Sequence, residues 1–311
     1  MSRSAQARGG VDLAGTFLPV TTPYDPVTGD VDVVAFRSNL RHWFRHPIAG
    51  VLVGGTNGEG VLLADSERAA LIEAAVGVAP EGALVLAWSG AESTRHAARL
   101  TREASSAGAV AALVSPPAFY KGAMTPEALA RHYRAVADAS PIPVVIYQVP
   151  TRMSTVDLPT GLIAELSRHE NIVGIKDSRG RLEILGDLIV QCRQGFQVLV
   201  GNGALLYPAL ETGCVGGIVA VGMIATPAAA AIPAAFRAGD KTEAGRLQER
   251  IAPLHQQIVA DMGIPGVKAA LDLLGLHGGA PRPPLLPAMP ERVEAVRRLL
   301  EVAQLLPTAS V

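Results

Sequence analysis

The sequence predicts a (β/α)8 barrel of the TIM type with a C-terminal helical extension. Eight short apolar runs, at residues 15–21, 50–54, 83–88, 111–115, 143–149, 172–176, 197–201 and 217–221, recur at intervals of about 20 to 35 residues. They are rich in Val, Ile and Leu with little polar alternation, as expected of parallel strands covered on both faces. Segments of helical pattern lie between them. Eight such units close into a barrel. A doubly wound open sheet is the alternative that the same rhythm allows.

The helices announce their starts. One begins near Asp32, and others at Asp65-Ser66-Glu67, Ser93-Thr94, Thr125-Pro126-Glu127, Asp157-Leu158-Pro159 and Arg181. Several of these are good N-cap or first-turn residues. Residues 212–236 carry no charge, but Gly213, Gly216, Gly217, Gly222, Pro227 and Pro233 interrupt them. A membrane helix needs about 20 continuous apolar residues. A buried strand at 217–221, a loop, and an Ala-rich helix opened by Thr226-Pro227 fit better. Beyond the eighth unit, residues 240–260, 266–274 and 291–305 read as helices joined by a proline-rich loop at 281–290. The predicted organisation is a disordered leader (1–12), the barrel (13–238) and an extension packed on it (239–311).

Composition narrows the function. The chain has 311 residues, 49% of them hydrophobic, and a net charge of −1, enough apolar material for a large core and no basic block for nucleic acid. Cys192 and Cys214 show neither metal spacing nor a disulfide framework, which fits a reducing cytoplasm. Arg3 and Arg8 precede no apolar h-region, so no signal peptide is expected. The histidines (His42, His46, His96, His132, His169, His255 and His277) form no metal pattern and are expected on solvated helix faces. No GxSxG elbow is present. Gly201-Asn202-Gly203 lacks the third glycine and the following acidic residue of a dinucleotide turn.

In such a barrel the active groups lie at the C-terminal ends of the strands. The sixth run, Asn171-Ile172-Val173-Gly174-Ile175-Lys176-Asp177-Ser178, ends in one of only four lysines among 27 basic residues. Strict alternation puts Lys176 on one face with Gly174 and Ile172, and Val173 and Ile175 on the other. The gap at Gly174 is expected to leave room for the amine. An amine among apolar groups favours its neutral form, which attacks carbonyls. The same position also suits an amine that caps the strand or pairs with Asp177 in solvent. Tyr147 ends the neighbouring fifth run, on the face of Val145. If both faces point inward, phenol and amine meet, and a Schiff-base reaction needs such a proton carrier. A core aromatic with a satisfied hydroxyl is the other reading of Tyr147. Gly54-Gly55-Thr56-Asn57-Gly58-Glu59-Gly60 after the second run offers close backbone N–H groups and a hydroxyl. It also reads as an ordinary βα loop. Arg152 is a rigid fork suited to a carboxylate or to a surface ion pair.

Together these motifs are similar to the dihydrodipicolinate synthase / N-acetylneuraminate lyase family over about residues 15–286. The similarity rests on Gly55-Thr56-Asn57-Gly58-Glu59, Tyr147-Gln148-Val149-Pro150-Thr151-Arg152, Gly174-Ile175-Lys176-Asp177 and Gly263-Ile264-Pro265-Gly266-Val267-Lys268. The resemblance implies that Lys176 forms a Schiff base with pyruvate or another 2-oxo acid and that Tyr147 shuttles the proton. It implies that Thr56 and the loop backbone, Gly55 and Asn57 included, hold the pyruvate carboxylate and relay protons. Ile218 lines the pyruvate site and Arg152 holds a carboxylate of the partner. It implies a metal-free, cofactor-free lyase that is a homotetramer built as a dimer of dimers. Two positions depart from the synthases. Asn57 stands where they usually carry threonine, and Phe119, beside Tyr120, stands where they donate a tyrosine across the dimer interface. A phenyl ring relays no proton.

The expected activity is an aldolase joining pyruvate to an aldehyde or cleaving a 4-hydroxy-2-oxo or 2-oxo-3-deoxy acid. The alternatives are 4-hydroxy-tetrahydrodipicolinate synthase, using aspartate semialdehyde, a dehydratase of the same family, and a non-catalytic 2-oxo acid binding protein.

Overall fold

A computed structural model describes residues 10–154 and 156–306. Strands β1 (Gly15–Pro19), β2 (Gly50–Val53), β3 (Leu84–Trp88), β4 (Ala111–Val114), β5 (Val144–Gln148), β6 (Ile172–Asp177), β7 (Gln197–Val200) and β8 (Gly216–Ile218) pair in chain order. Every pairing is parallel, and β8 closes on β1 with Gly15 opposite Gly216 and Phe17 opposite Ile218. Closure rules out the open sheet.

Helices α1 (Val33–Trp43), α2 (Asp65–Val76), α3 (Thr94–Ser106), α4 (Pro126–Ala139), α5 (Thr160–Leu166), α6 (Leu182–Gln191), α7 (Leu206–Thr212) and α8 (Thr226–Arg237) follow the strands in turn. Three of the expected starts act as side-chain caps, whereas α2, α5 and α6 begin after Ala64, Pro159 and Arg181 without one. Asp32 accepts from the N–H groups of Val34 and Ala35, Ser93 from that of His96, and Thr125 from that of Ala128. Helix α7 has no such announcement in the sequence. It is seven residues long, contains Pro208 and stops at Gly213 with φ 112°. The expected strand at 217–221 is shorter and earlier, because Ala220–Met223 turns as a 3₁₀ helix. Gly216 is required there: a Cβ would lie 2.0 Å from the Gly15 carbonyl oxygen.

Two hydrophobic layers result. Phe17, Leu52, Leu86, Leu113, Val145 and Leu199 fill the barrel interior. Ile146, Ile175 and Val198 instead face the helices, packing in the layer that includes Leu71, Ile163 and Leu210. The predicted leader falls largely on residues 1–9, outside the described residues. Just after them, the Gln197 side chain accepts from the Leu13 N–H and donates to the Val11 carbonyl, both at 2.7 Å, and Leu13 is fully buried.

The extension comprises α9 (Lys241–Leu254), a π-helical segment (His255–Ala260), α10 (Gly263–Leu273) and α11 (Pro290–Val302). Gln248 joins it to the barrel, donating to the Gly203 carbonyl and accepting from the Tyr207 N–H. Among the described residues no helix is long and apolar enough to cross a membrane.

Candidate active site

Strand β6 does not alternate as the sequence suggests. Val144 of β5 pairs with Ile172, but the next residue, Val145, pairs with Gly174, so Val173 is an extra residue in β6. Val173 packs in the barrel interior, whereas Ile172 and Ile175 pack in the outer layer. Ile172 and Lys176 therefore occupy opposite faces, and the bulge turns Lys176 inward. The role expected for Gly174 also changes. A Cβ there would meet the Gln197 carbonyl oxygen at 2.4 Å, so the glycine admits the β7 backbone and leaves no space for the amine.

Tyr147 pairs with Lys176 across β5 and β6, and the two are 3% and 4% exposed. The Lys176 Nζ lies 4.4 Å from the centre of the Tyr147 ring. The Tyr147 hydroxyl is 3.0 Å from the Thr56 Oγ1. An amine, a phenol and an alcohol thus converge at the C-terminal mouth of the barrel. Lys176 has no carboxylate partner among the described residues. Asp177 faces away and is held by Arg179, whose Nε donates to it at 2.9 Å. This excludes the solvent ion pair with Asp177.

The Thr56 loop is shaped by close packing. A Cβ on Gly58 would sit 2.8 Å from the Val20 carbonyl oxygen, and one on Gly60 1.7 Å from that of Gly54. The Glu59 N–H donates to the Thr56 carbonyl at 3.1 Å, and the Gly60 N–H to that of Gly55 at 3.2 Å. Among the described residues, no protein acceptor takes the N–H of Thr56 or Asn57. Two adjacent free donors beside a hydroxyl suit a small carboxylate. Gly55 is buried behind them, and Ile218, fully buried on β8, belongs to the interior layer that includes Tyr147.

The remaining predicted residues lie farther out. Arg152 is exposed on the loop after β5, and its Nη1 donates to the Ala260 carbonyl at the end of the π-helical segment. Phe119 and Tyr120, 80% and 71% exposed, meet edge-to-face at 5.1 Å on the loop after β4. Within the chain, Tyr120 makes no hydrogen bond to Thr56 or Tyr147.

Two histidines depart from the expected solvated faces. His132 and His255 are 5% and 6% exposed. Burial pushes each down to about 4, with Arg152 adding to the effect at His255. The His255 Nδ1 accepts from the Gly203 N–H at 3.2 Å. Among the described residues no group of three or more His, Cys, Asp or Glu side chains could hold a metal ion.

The motif reading named Lys268 but not its burial or its partners. The Lys268 Nζ donates to the Glu59 Oε1 at 2.7 Å and to the carbonyls of Thr22 and Ala280 at 2.9 and 3.1 Å. It also stands 4.6 Å over the Tyr24 ring. Burial pulls this amine down, and Glu59 opposes that pull. A lysine among Val267, Ala270 and Leu271 was the available signal.

Comparison with known proteins gives concordant results. The model of the dihydrodipicolinate synthetase family matches residues 12–303. A 4-hydroxy-tetrahydrodipicolinate synthase from Kineococcus radiotolerans is 36% identical over 296 residues, covering 94% of each chain. Among solved structures, a dihydrodipicolinate synthase from Bacillus anthracis is 28% identical with a TM-score of 0.88, covering 96% of this chain and 100% of that one. A prophage protein of the dihydrodipicolinic acid synthase family from E. coli, solved in complex with pyruvate, is 26% identical with a TM-score of 0.89, covering 94% and 99%.

Proposed function

Because the chain belongs to the dihydrodipicolinate synthetase family, we propose that it is a class I carbon–carbon lyase acting on pyruvate and an aldehyde through a Schiff base on Lys176. The observation that carries this reading is the buried Lys176 amine over the Tyr147 ring, with the Tyr147 hydroxyl bonded to Thr56. The Lys176 Nζ attacks the C2 carbonyl of pyruvate to give a carbinolamine. Tyr147 protonates the departing hydroxyl, water leaves, and an iminium remains. Loss of a C3 proton gives the enamine, whose C3 attacks the aldehyde carbon. The aldehyde oxygen takes up a proton, and hydrolysis of the new iminium frees Lys176. In reverse, a 4-hydroxy-2-oxo or 2-oxo-3-deoxy acid is cleaved to pyruvate and an aldehyde. Thr56 passes protons to and from Tyr147. The free N–H groups of Thr56 and Asn57 take the pyruvate carboxylate, and Arg152 meets an acidic group on the partner. In this reading no metal or other cofactor takes part.

Phe119 supports the aldolase over the synthase, since its ring cannot extend the relay. The synthase, condensing pyruvate with aspartate semialdehyde, is favoured by the synthase relatives and by Arg152. The product decides: a synthase gives a cyclic product from these two substrates, whereas an aldolase releases pyruvate from its own substrate. We place the protein in the cytoplasm as a homotetramer, and the exposed Phe119, Tyr120 and Val61 support burial against another copy.

The test is intact mass after incubation with pyruvate and borohydride. A reduced adduct on the native chain, absent from Lys176→Ala together with turnover, is expected. No adduct on a folded native chain removes the lyase reading and leaves a 2-oxo acid binding protein, and turnover retained by Lys176→Ala removes the Schiff base on Lys176.

A further inference from the structure

The loop that carries Thr56 is held from outside the barrel. Glu59 has a left-handed backbone, with φ 57° and ψ 31°. A residue with a Cβ resists this conformation. It persists where the surroundings over-determine it, and three groups do so here. The Glu59 carboxylate, fully buried, accepts from the Lys268 Nζ through Oε1 and from the Arg282 N–H through Oε2, each at 2.7 Å. Its N–H donates to the Thr56 carbonyl. One residue earlier in the loop, the Gly58 carbonyl accepts from the Thr22 hydroxyl at 2.7 Å. Lys268 also binds the Thr22 carbonyl. A single ammonium on α10 therefore secures both segments that flank the loop. Its three protons are all engaged, so it is no second nucleophile.

A buried ion pair is weak evidence for stability, because apolar replacements of similar volume are often neutral. Its effect here is geometric. The Thr56 hydroxyl stands 3.0 Å from Tyr147, and the Glu59 N–H on the Thr56 carbonyl ties that residue to the ion pair.

We propose that Lys268 is a positioning residue for proton transfer. Through Glu59 and Thr22 it fixes the loop so that the Thr56 hydroxyl meets Tyr147, which makes the C-terminal extension part of the relay's support. The proposal rests on the pyruvate reading above.

The test uses the full-length protein with pyruvate in D2O. NMR follows exchange of the pyruvate C3 protons, and intact mass follows the extent of borohydride-trapped adduct after long incubation. The variants are Lys268→Met, Thr22→Val, Thr56→Ala and the double variant Thr56→Ala/Lys268→Met. Lys268→Met is expected to slow exchange by ~10–100-fold, the size of effect that a displacement of about 1 Å produces. The final extent of adduct, which the relay speeds but does not set, is expected to change far less. In the Thr56→Ala background, Lys268→Met is expected to add no further loss. Equal losses of exchange and trapping, or a full additional loss in the double variant, would overturn the proposal. If Lys268→Met does not fold, Thr22→Val keeps the ion pair and removes only the hydroxyl on Gly58. The same split is expected of it, and unchanged exchange overturns the proposal. A native chain that forms no adduct refutes the pyruvate reading instead, so the two failures are distinct.

Discussion

Tyr147→Phe separates the chemistry of the phenol from its packing. The ring stays beneath Lys176, 4.4 Å from Nζ, and the 3.0 Å contact with Thr56 is lost. Tyr147 is 3% exposed and sits among Leu113, Val145 and Leu199, contacts that phenylalanine keeps. The stability change is then that of one hydrogen bond, about 1 kcal/mol. In a chain of this size that lowers Tm by only a few degrees. The kinetic change is far larger. A positioned general acid or base contributes about 10²–10⁴-fold, or roughly 3–5 kcal/mol of barrier. The variant should therefore melt almost as the native chain does and still give a trapped pyruvate adduct on long incubation, while kcat falls by two to four orders of magnitude. Thermal melting, intact mass and steady-state turnover on one preparation would check this. A kcat within about threefold of native would refute the role of the phenol, since such a change is below the smallest acid–base contribution. A collapse of Tm would refute the claim that the hydroxyl contributes little to packing.

Arg152→Ala should raise KM for an acidic partner by ~10–100-fold, the loss of a charge-assisted bond, and leave trapping with pyruvate alone unchanged. A substrate panel of acidic and neutral aldehydes checks it. His132 and His255 are pushed down to about 4 by burial, against an ordinary 6.5. Both stay neutral in the fold, so the unfolded chain takes up their protons first. Stability is then lost as pH falls from 6.5 to about 4, by on the order of 3 kcal/mol for each histidine. Denaturant titrations across that window should show the slope, and His132→Gln should reduce it.

The barrel was legible because its units repeat. Apolar runs of strand length recur eight times with helical segments between them, and errors at single ends do not alter the count. Lys176, Tyr147 and Thr56 were legible because strand ends in such a barrel share one rim. Local exceptions were not. Helix α7 is short, contains Pro208 and has no capping side chain, so its pattern resembles a loop. Gly174 reads as a gap, yet its neighbour is backbone from β7, which no local pattern reveals. His132 and His255 lie on helices whose buried faces depend on what packs against them. Lys268 is 209 residues from Glu59, and only the fold brings them together. Its motif was visible, but its partner was not.

The single extra residue at Val173 sets the parity of β6. Counting from the outward Ile172, an even pleat would return position 176 to the outer layer, with its amine among the helices and out of reach of Tyr147. The insertion makes the count odd. The position of the amine therefore depends on how many residues precede it as well as on which residues they are. Removing Val173 together with the bulge would keep the pairing of Ile172 with Val144 and leave Lys176 inward opposite Tyr147, whereas flattening the bulge at the present length would turn that amine to the other side of the wall. Along this strand the bulge and the residue count have to match for Lys176 to face Tyr147.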